Sequence, residues 1–249
     1  MPDNSEQLPY HFVLEGAYNV RDLGGYATSD GKLVRRGAFL RADGLDRLSP
    51  TDQQLLLSYG LTSIIDLRAS SELKNYPDVF AQSPDVSYFH LPLFEYEDGN
   101  IVEVYKKNPP LEQIYCHWLD ECQGRIKDII EAIATANTGC TLVHCSAGKD
   151  RTGLIIAILL GLVGVAPEVI AQDYSLSATN LAPKVEEWRA QAIKDGQNIE
   201  MFDHYMASEP YMILKAFDHL ETNYGGVIGY LKKIGLTQQQ LDIIIDKLT

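Results

Sequence analysis

The chain has 249 residues, 45% of them hydrophobic, and a formal net charge of −13 at pH 7. This length fits one large domain or two small ones, and the hydrophobic fraction supports a sizeable core. The acidic balance disfavours a nucleic-acid partner. The longest apolar run, residues 154–165, is far shorter than the roughly 20 residues of a membrane-spanning helix, so we also expect no integral membrane association.

The first six residues contain neither a basic region nor an apolar region. The sequence therefore predicts no secretory signal and a cytoplasmic location, although removal of a leader before residue 1 would leave secretion open. Residues 1–10 are expected to be loose. No repeat, long linker or low-complexity stretch interrupts the sequence, which predicts a single domain over residues 1–249.

Four cysteines, at positions 116, 122, 140 and 145, could in principle form disulfides. A chain of this size needs no covalent cross-links, so we expect free thiols. His117 and His144 lie near cysteines, but neither C-x-x-C nor H-x-x-x-H spacing occurs. We therefore predict no metal and no other cofactor.

Predicted strands and helices alternate through the first part of the sequence. Ser49 is expected to cap a helix that begins at Pro50 and ends at Gly60. Buried strands are predicted over residues 62–67, 86–91 and 140–144, with a mostly helical segment over residues 111–136. Further helices are predicted over residues 167–177, 181–192, 209–223 and 241–248. This pattern predicts an α/β fold with a central, mostly parallel sheet flanked by helices, and a helical C-terminal half.

Residues 144–153, His-Cys-Ser-Ala-Gly-Lys-Asp-Arg-Thr-Gly, lie between a predicted strand and a predicted buried helix. A loop of successive backbone N–H groups binds anions, and the N-terminus of the following helix adds unpaired donors. Arg151 supplies a planar guanidinium that can hold two phosphate oxygens at once. The same positive surroundings favour a thiolate at Cys145. The segment therefore predicts a phosphate site with its own nucleophile.

Each side chain of this loop has a predicted role. Cys145 attacks phosphorus and forms a cysteinyl-phosphate intermediate, which water then hydrolyses. Thr152 is expected to hydrogen-bond the sulfur, and His144 to lie behind the loop and support it. The predicted phosphate-binding residues are Ser146, Ala147, Gly148, Lys149, Asp150 and Arg151.

The pattern His-Cys-x-x-Gly-Lys-Asp-Arg-Thr-Gly resembles the active-site loop of the cysteine-dependent protein tyrosine phosphatases, in particular their bacterial tyrosine/lipid phosphatase branch. Segments 19–26, 40–45, 65–72 and 223–231 are similar to that branch too, in the same order. The resemblance implies a phosphotyrosine-phosphatase-like fold and hydrolysis of phosphotyrosine. It also implies phosphoserine, phosphothreonine and phosphoinositide monoesters as further candidate substrates, so the expected partner is a phosphorylated protein or a phosphoinositide.

The leaving group of such a reaction needs a proton donor, and two aspartates compete for this role. Asp66 is at the end of a predicted parallel strand, where active sites gather. Asp150 is in the loop itself, where it could instead cap the following helix. The resemblance supports both residues without deciding between them. Arg68 is the best further candidate for a substrate contact.

Lys149 gives the loop a second positive charge, which in the resembled family goes with phosphoinositide or other multiply phosphorylated substrates as well as phosphotyrosine. Residues 180–211 could form a helical lid over the site or could simply pack against the domain. Two alternatives to a phosphatase are a pseudophosphatase that only binds phosphate, and a sulfurtransferase or arsenate reductase with this type of loop. Cys145 and Arg151 together disfavour the first, and Thr152 after the arginine disfavours the second. The sequence does not predict an oligomeric state.

Overall fold

A five-stranded sheet lies at the centre of the computed structural model, which describes residues 9–249. In chain order the strands are β1 (Arg21–Asp22), β2 (Phe39–Ala42), β3 (Leu61–Asp66), β4 (Ser87–His90) and β5 (Cys140–His144). Their order in space is β1-β2-β5-β3-β4, with β1 antiparallel to β2 and all other neighbours parallel. The predicted α/β fold with a mostly parallel sheet is therefore confirmed.

Eleven helices lie within the described part of the chain. Five precede the last strand: α1 (Pro50–Ser58), α2 (Ser70–Asn75), α3 (Gly99–Lys106), α4 (Leu111–Glu121) and α5 (Gln123–Thr135). Six follow it: α6 (Asp150–Leu162), α7 (Pro167–Lys194), α8 (Ile199–Met206), α9 (Pro210–Tyr224), α10 (Gly226–Lys233) and α11 (Gln238–Leu248). The predicted cap of α1 is confirmed, because the Ser49 side chain accepts a hydrogen bond from Asp52 N. The C-terminal half is helical, as the sequence predicts.

A single helix, α7, replaces the two helices that the sequence predicts between residues 167 and 192. Pro183 lies inside it, where the missing N–H and the clash of the ring cost about 3 kcal/mol. Leu181 is buried, and Asn180 Nδ2 donates to Asn19 Oδ1 at 3.2 Å. Contacts with the rest of the molecule therefore keep the helix continuous across the proline.

The sequence predicts that residues 1–10 are loose, and the structure describes the last two of them. Residues 1–8 of the segment expected to be loose lie outside the described residues. Tyr10 lies within them, and its carbonyl accepts a hydrogen bond from Asp22 N at 2.9 Å. Within residues 9–249, no helix is both long enough and apolar enough to cross a membrane.

Helix α6 fixes the place of the predicted phosphate loop. All its residues except Asp150 and Gly161 are buried, as expected of a helix that is apolar on every side. Five residues separate the end of β5 from the start of this helix, and β5 has parallel neighbours on both sides. Residues 145–149 therefore lie at the carboxyl edge of the parallel strands, where ligands bind in sheets of this kind.

Candidate active site

The phosphate loop, residues 145–151, turns sharply between β5 and α6. Cys145 follows the last residue of β5 and is only 2% exposed. Gly148 has a φ of +63°, and a Cβ at this position would lie 2.2 Å from the carbonyl oxygen of Ala42. Only glycine fits here, since any side chain would combine a strained backbone with a collision against β2.

Two buried side chains hold the carbonyl groups on the outer side of this loop. Asn19 Nδ2 donates to Ala147 O at 3.0 Å and to Gly148 O at 3.2 Å. Arg41 Nη2 donates to Gly148 O at 2.7 Å. In a planar trans peptide the N–H points away from the C=O. The N–H groups of Gly148 and Lys149 therefore point to the inner side, where they can bind an anion.

Asp173, on α7, fixes the orientation of Arg41. Its carboxylate accepts from Arg41 Nη1 at 2.6 Å and from Arg21 Nε at 2.9 Å, and all three side chains are buried. Burial alone would raise the pKa of Asp173, but the two guanidinium groups outweigh it and lower the pKa to about 2. A buried charge network thus supports the outer side of the phosphate loop.

Arg151, in the first turn of α6, forms a double ion pair with Glu72 of α2. Nη1 lies 2.5 Å from Oε2, and Nη2 lies 2.8 Å from Oε1. Glu72 is itself held by Ala69 N, which donates to Oε2 at 2.8 Å, and by a hydrogen bond from Ser146 Oγ. Burial would raise the pKa of Glu72, but Arg151 outweighs it and the pKa is lowered. This pair uses both terminal nitrogens of the guanidinium, and Nη2 also donates to Ser146 Oγ at 3.4 Å, so Nε is the nitrogen without a partner among the described residues.

Lys149 and Asp150 have different partners from those that the sequence suggests. Lys149 is 1% exposed, and its Nζ donates to the carbonyl oxygens of Tyr205 and Ala207, each at 2.6 Å. The same Nζ lies 3.3 Å from Asp150 Oδ1, which also accepts from Tyr115 Oη at 2.5 Å. The ammonium group therefore fastens the end of α8 to the loop, and Asp150 remains partly exposed at its rim.

A cleft opens beside the phosphate loop. It has a volume of about 820 Å³, and its lining includes Ser146, Glu72 and Trp188 of α7. Phe94 lies against the other side of Arg151, with its ring centre 5.3 Å from the guanidinium carbon. The site thus brings together the predicted nucleophile Cys145, a loop whose N–H groups can bind an anion, and a cleft large enough for part of a substrate.

Comparison with known proteins agrees with this arrangement. Residues 12–249 match the tyrosine phosphatase family. The chain belongs to that family. It is 34% identical over 213 residues to a tyrosine-protein phosphatase of Nostoc commune, covering 82% of this chain and 71% of the relative. It is also 25% identical over 273 residues to the triple specificity protein phosphatase PtpB of Mycobacterium tuberculosis, covering 90% and 94%. The chain is a protein tyrosine phosphatase.

In this phosphatase the second candidate acid, Asp66, lies at the end of β3 and is fully buried. Its Oδ2 accepts from Arg68 Nη2 at 2.7 Å and from Tyr88 Oη at 2.6 Å. Burial would raise the pKa of Asp66, but His144, Arg68 and the Tyr88 hydrogen bond together lower it well below its usual range. Arg68 is 1% exposed. The pair is therefore satisfied internally, which favours a supporting role for Asp66; Arg68 also lines the cleft beside the phosphate loop, and its contact with substrate stays a prediction.

His144 lies with Asp66 and Asp78 in the one group of described residues whose geometry could hold a metal ion. Its Nε2 is 3.3 Å from Asp78 Oδ2 and 3.6 Å from Asp66 Oδ2. Asp66 Oδ2, however, already accepts three hydrogen bonds, from Arg68 Nη2, Arg68 Nε and Tyr88 Oη. That oxygen is thus already used by its hydrogen bonds, whereas Asp78 Oδ2 and both ring nitrogens of His144 are buried with no hydrogen-bond partner within residues 9–249.

The sequence analysis does not identify several residues of the site. Glu72 is the last residue of the segment 65–72, which resembles the phosphatase family, but its partner, Arg151, is 79 positions away in the sequence. Its place as third residue of a short helix after a buried strand is a signal that could have been used. The roles of Asn19, Asp173 and Tyr115 depend on contacts between distant segments, and no local pattern predicts them.

Proposed function

We propose that this phosphatase hydrolyses phosphotyrosine monoesters in proteins by two displacements at phosphorus. In the first, a bond forms between Cys145 Sγ and phosphorus while the phosphorus–oxygen ester bond breaks, and Asp150 gives its proton to the leaving oxygen. In the second, water attacks phosphorus, the sulfur–phosphorus bond breaks, and Asp150 takes a proton from the water.

One observation carries the proposal: the loop between Cys145 and Arg151 has its carbonyl groups bound on the outside by Asn19 and Arg41. The inward N–H groups and the guanidinium of Arg151, through Nε, would then bind the non-bridging oxygens as charge moves onto them. Asp150 is the acid in this proposal because it is in the loop and partly exposed, whereas Asp66 is enclosed. The Thr152 hydroxyl is buried and has no hydrogen-bond partner within residues 9–249, so it is free to bond the departing sulfur.

An aromatic wall supports preference for an aryl phosphate. Tyr96 is 47% exposed; partial burial raises its pKa, and the charge of Arg151 partly offsets this rise, which places Tyr96 near the phosphate loop. Phe94 contacts Tyr96 edge-on, with ring centres 5.6 Å apart. The exposed ring of Tyr96 can pack against the ring of a phosphotyrosine at Cys145, whereas Phe94 is only 2% exposed and supports Tyr96. Because PtpB is named a triple specificity phosphatase, we extend the proposal to phosphoserine and phosphothreonine at lower rates. The cytoplasmic location stays a prediction.

Phosphate release from a substrate panel tests this proposal. The panel contains phosphotyrosine, phosphoserine and phosphothreonine peptides, mono- and polyphosphorylated inositol lipids, and p-nitrophenyl phosphate, with Cys145→Ser as the blank. We expect fastest release from phosphotyrosine and, after acid quenching, phosphate on the Cys145 peptide of the wild-type enzyme. Turnover by Cys145→Ser would overturn the nucleophile, and faster turnover of inositol lipids would overturn the substrate class.

A further inference from the structure

A chain of hydroxyl groups runs from the phosphate loop into the core. Asp150 Oδ1 accepts from Tyr115 Oη at 2.5 Å. Tyr115 Oη lies 2.7 Å from Tyr174 Oη, and Tyr174 Oη lies 3.8 Å from Met212 Sδ. These three residues come from α4, α7 and α9 and are at most 1% exposed. The side chain of Asp150 is therefore connected to three helices through atoms that water does not reach.

The direction of this chain can reverse, because a hydroxyl group both donates and accepts a hydrogen bond. When Asp150 is ionised, Tyr174 donates to Tyr115 and Tyr115 donates to Asp150. When Asp150 carries the transferable proton on Oδ2, Oδ1 still accepts from Tyr115, so the O–H on Oδ2 stays available for the leaving oxygen. If the proton is on Oδ1 instead, Oδ1 donates to Tyr115, Tyr115 donates to Tyr174, and Tyr174 donates to the thioether of Met212, a weak acceptor. None of these states leaves a buried hydroxyl without an acceptor, which would cost about 1–3 kcal/mol.

We propose that Tyr115 and Tyr174 are positioning residues that hold Asp150 for proton transfer and adjust to both of its protonation states. This inference rests on the proposed role of Asp150 as the acid. It goes beyond that role, since it assigns a function to two core tyrosines that do not line the cleft. Burial, with the nearby Asp150 charge, raises the pKa of Tyr115 well above its usual value. The phenol therefore keeps its proton while Asp150 gains and loses one.

A purely structural role is the competing interpretation, because both rings belong to the main hydrophobic core and pack edge-on at 6.2 Å. The dependence of rate on the leaving group separates the two. Phenol is a poor leaving group that needs a proton, whereas p-nitrophenol leaves readily without one. Loss of structure slows both substrates alike, but a displaced acid slows phenyl phosphate more.

The test compares kcat/KM for phenyl phosphate and p-nitrophenyl phosphate in Tyr115→Phe, Tyr174→Phe, Met212→Leu and Asp150→Asn. We expect Tyr115→Phe to lower the phenyl phosphate value by roughly 10- to 100-fold and the p-nitrophenyl phosphate value by less than about 3-fold. Tyr174→Phe should act in the same direction more weakly, and Met212→Leu more weakly still. Phenylalanine keeps the packing, and circular dichroism with thermal melting verifies that each variant is folded.

The outcomes separate this inference from the proposed function. If Asp150→Asn slows both substrates equally, Asp150 is not the acid and the proposed function fails at that step. If Asp150→Asn is selective while Tyr115→Phe slows both equally, the positioning role is overturned and the acid is retained. If Tyr115→Phe does not fold, Tyr174→Phe decides by the same ratio, since it interrupts the same chain one residue further from the loop.

Discussion

Arg151 and Glu72 face each other through two hydrogen-bonded ion contacts, at 2.5 and 2.8 Å. Both carboxylate oxygens are engaged, and Glu72 is fixed in turn by Ala69 N at the start of α2. A two-point contact between planar groups sets the plane of the guanidinium as well as its position. We therefore expect Glu72 to hold the Arg151 guanidinium in place beside the phosphate loop before substrate binds.

Glu72→Gln tests this alignment. Glutamine keeps the size of the side chain but loses the charge and one of the two acceptors, so Arg151 can rotate away from the loop. We expect kcat/KM for p-nitrophenyl phosphate to fall by about 10- to 100-fold, and inhibition by inorganic phosphate to weaken, because small misplacements of binding groups are costly. Glu95→Gln is the matched control, since Glu95 accepts from Ser70 of α2 but does not contact Arg151. A more active Glu72→Gln enzyme would show instead that Glu72 obstructs the phosphate site.

Asp173→Asn should destabilise the protein in a way that depends on pH. The variant leaves Arg21 and Arg41 buried without a counter-charge, which costs about 3–5 kcal/mol of unfolding free energy at neutral pH. The pKa of Asp173 is lowered from 3.8 to about 2. Its charge therefore stabilises the fold above about pH 4, and this contribution, about 2 kcal/mol, is lost as the pH falls towards 2.

Urea unfolding of wild type and Asp173→Asn between pH 7 and pH 3 measures this difference. The gap between the two proteins should narrow below about pH 4. Asp195→Asn, an exposed position just after α7, controls for loss of one negative charge. A gap that stays constant across this range would mean that the Asp173 carboxylate is not held ionised by the two arginines.

The sequence predicts those parts of the fold whose cause is local. The β5–loop–α6 unit is predictable because Cys145, Gly148 and Arg151 stand at fixed spacing between an apolar strand and an apolar helix. The short strands β1 and β2 are missed, since Arg21 and Arg41 interrupt the apolar pattern. Those charges are buried only because Asp173 comes from the opposite half of the chain.

The same limit applies to the two candidate acids. The sequence does not distinguish Asp66 from Asp150 as the acid, because Asp66 lies at the carboxyl end of a predicted strand and Asp150 lies in a loop that follows one. Their tertiary contacts distinguish them, because Arg68 and Tyr88 enclose Asp66, whereas Asp150 is partly exposed at the rim of the loop. Such differences in burial and partners decide chemistry, and residue spacing does not contain them.

Asp66→Asn should therefore affect stability and leave the proton-transfer step intact. Arg68 would keep only Asp78 Oδ2, at 3.7 Å, as a charged partner. We expect a loss of about 3–5 kcal/mol in unfolding free energy, measured by urea denaturation. The ratio of kcat/KM for p-nitrophenyl phosphate over phenyl phosphate should match that of wild type. A raised ratio with normal stability would assign the acid to Asp66 instead of Asp150.

Lys149→Ala should loosen α8 without disturbing the sheet. Lys149 Nζ donates to the carbonyl oxygens of Tyr205 and Ala207 at the end of α8. An exposed salt bridge between Arg189 of α7 and Asp203 of α8, at 2.7 Å, also connects these two helices. Exposed ion pairs contribute at most about 1 kcal/mol, so the buried ammonium should be the stronger tie. We expect faster amide hydrogen exchange in residues 199–207 and unchanged exchange in β5.

Lys194→Ala is the matched control for this experiment, because Lys194 is an exposed lysine at the end of α7. It removes the same charge close to α8 but none of the hydrogen bonds to its end. Equal exchange in Lys149→Ala and wild type would show that α8 does not depend on this contact. If Lys149→Ala selectively lost turnover of polyphosphorylated inositol lipids while α8 kept its protection, Lys149 would contact substrate, as the loop sequence suggests, and would not serve mainly to hold α8.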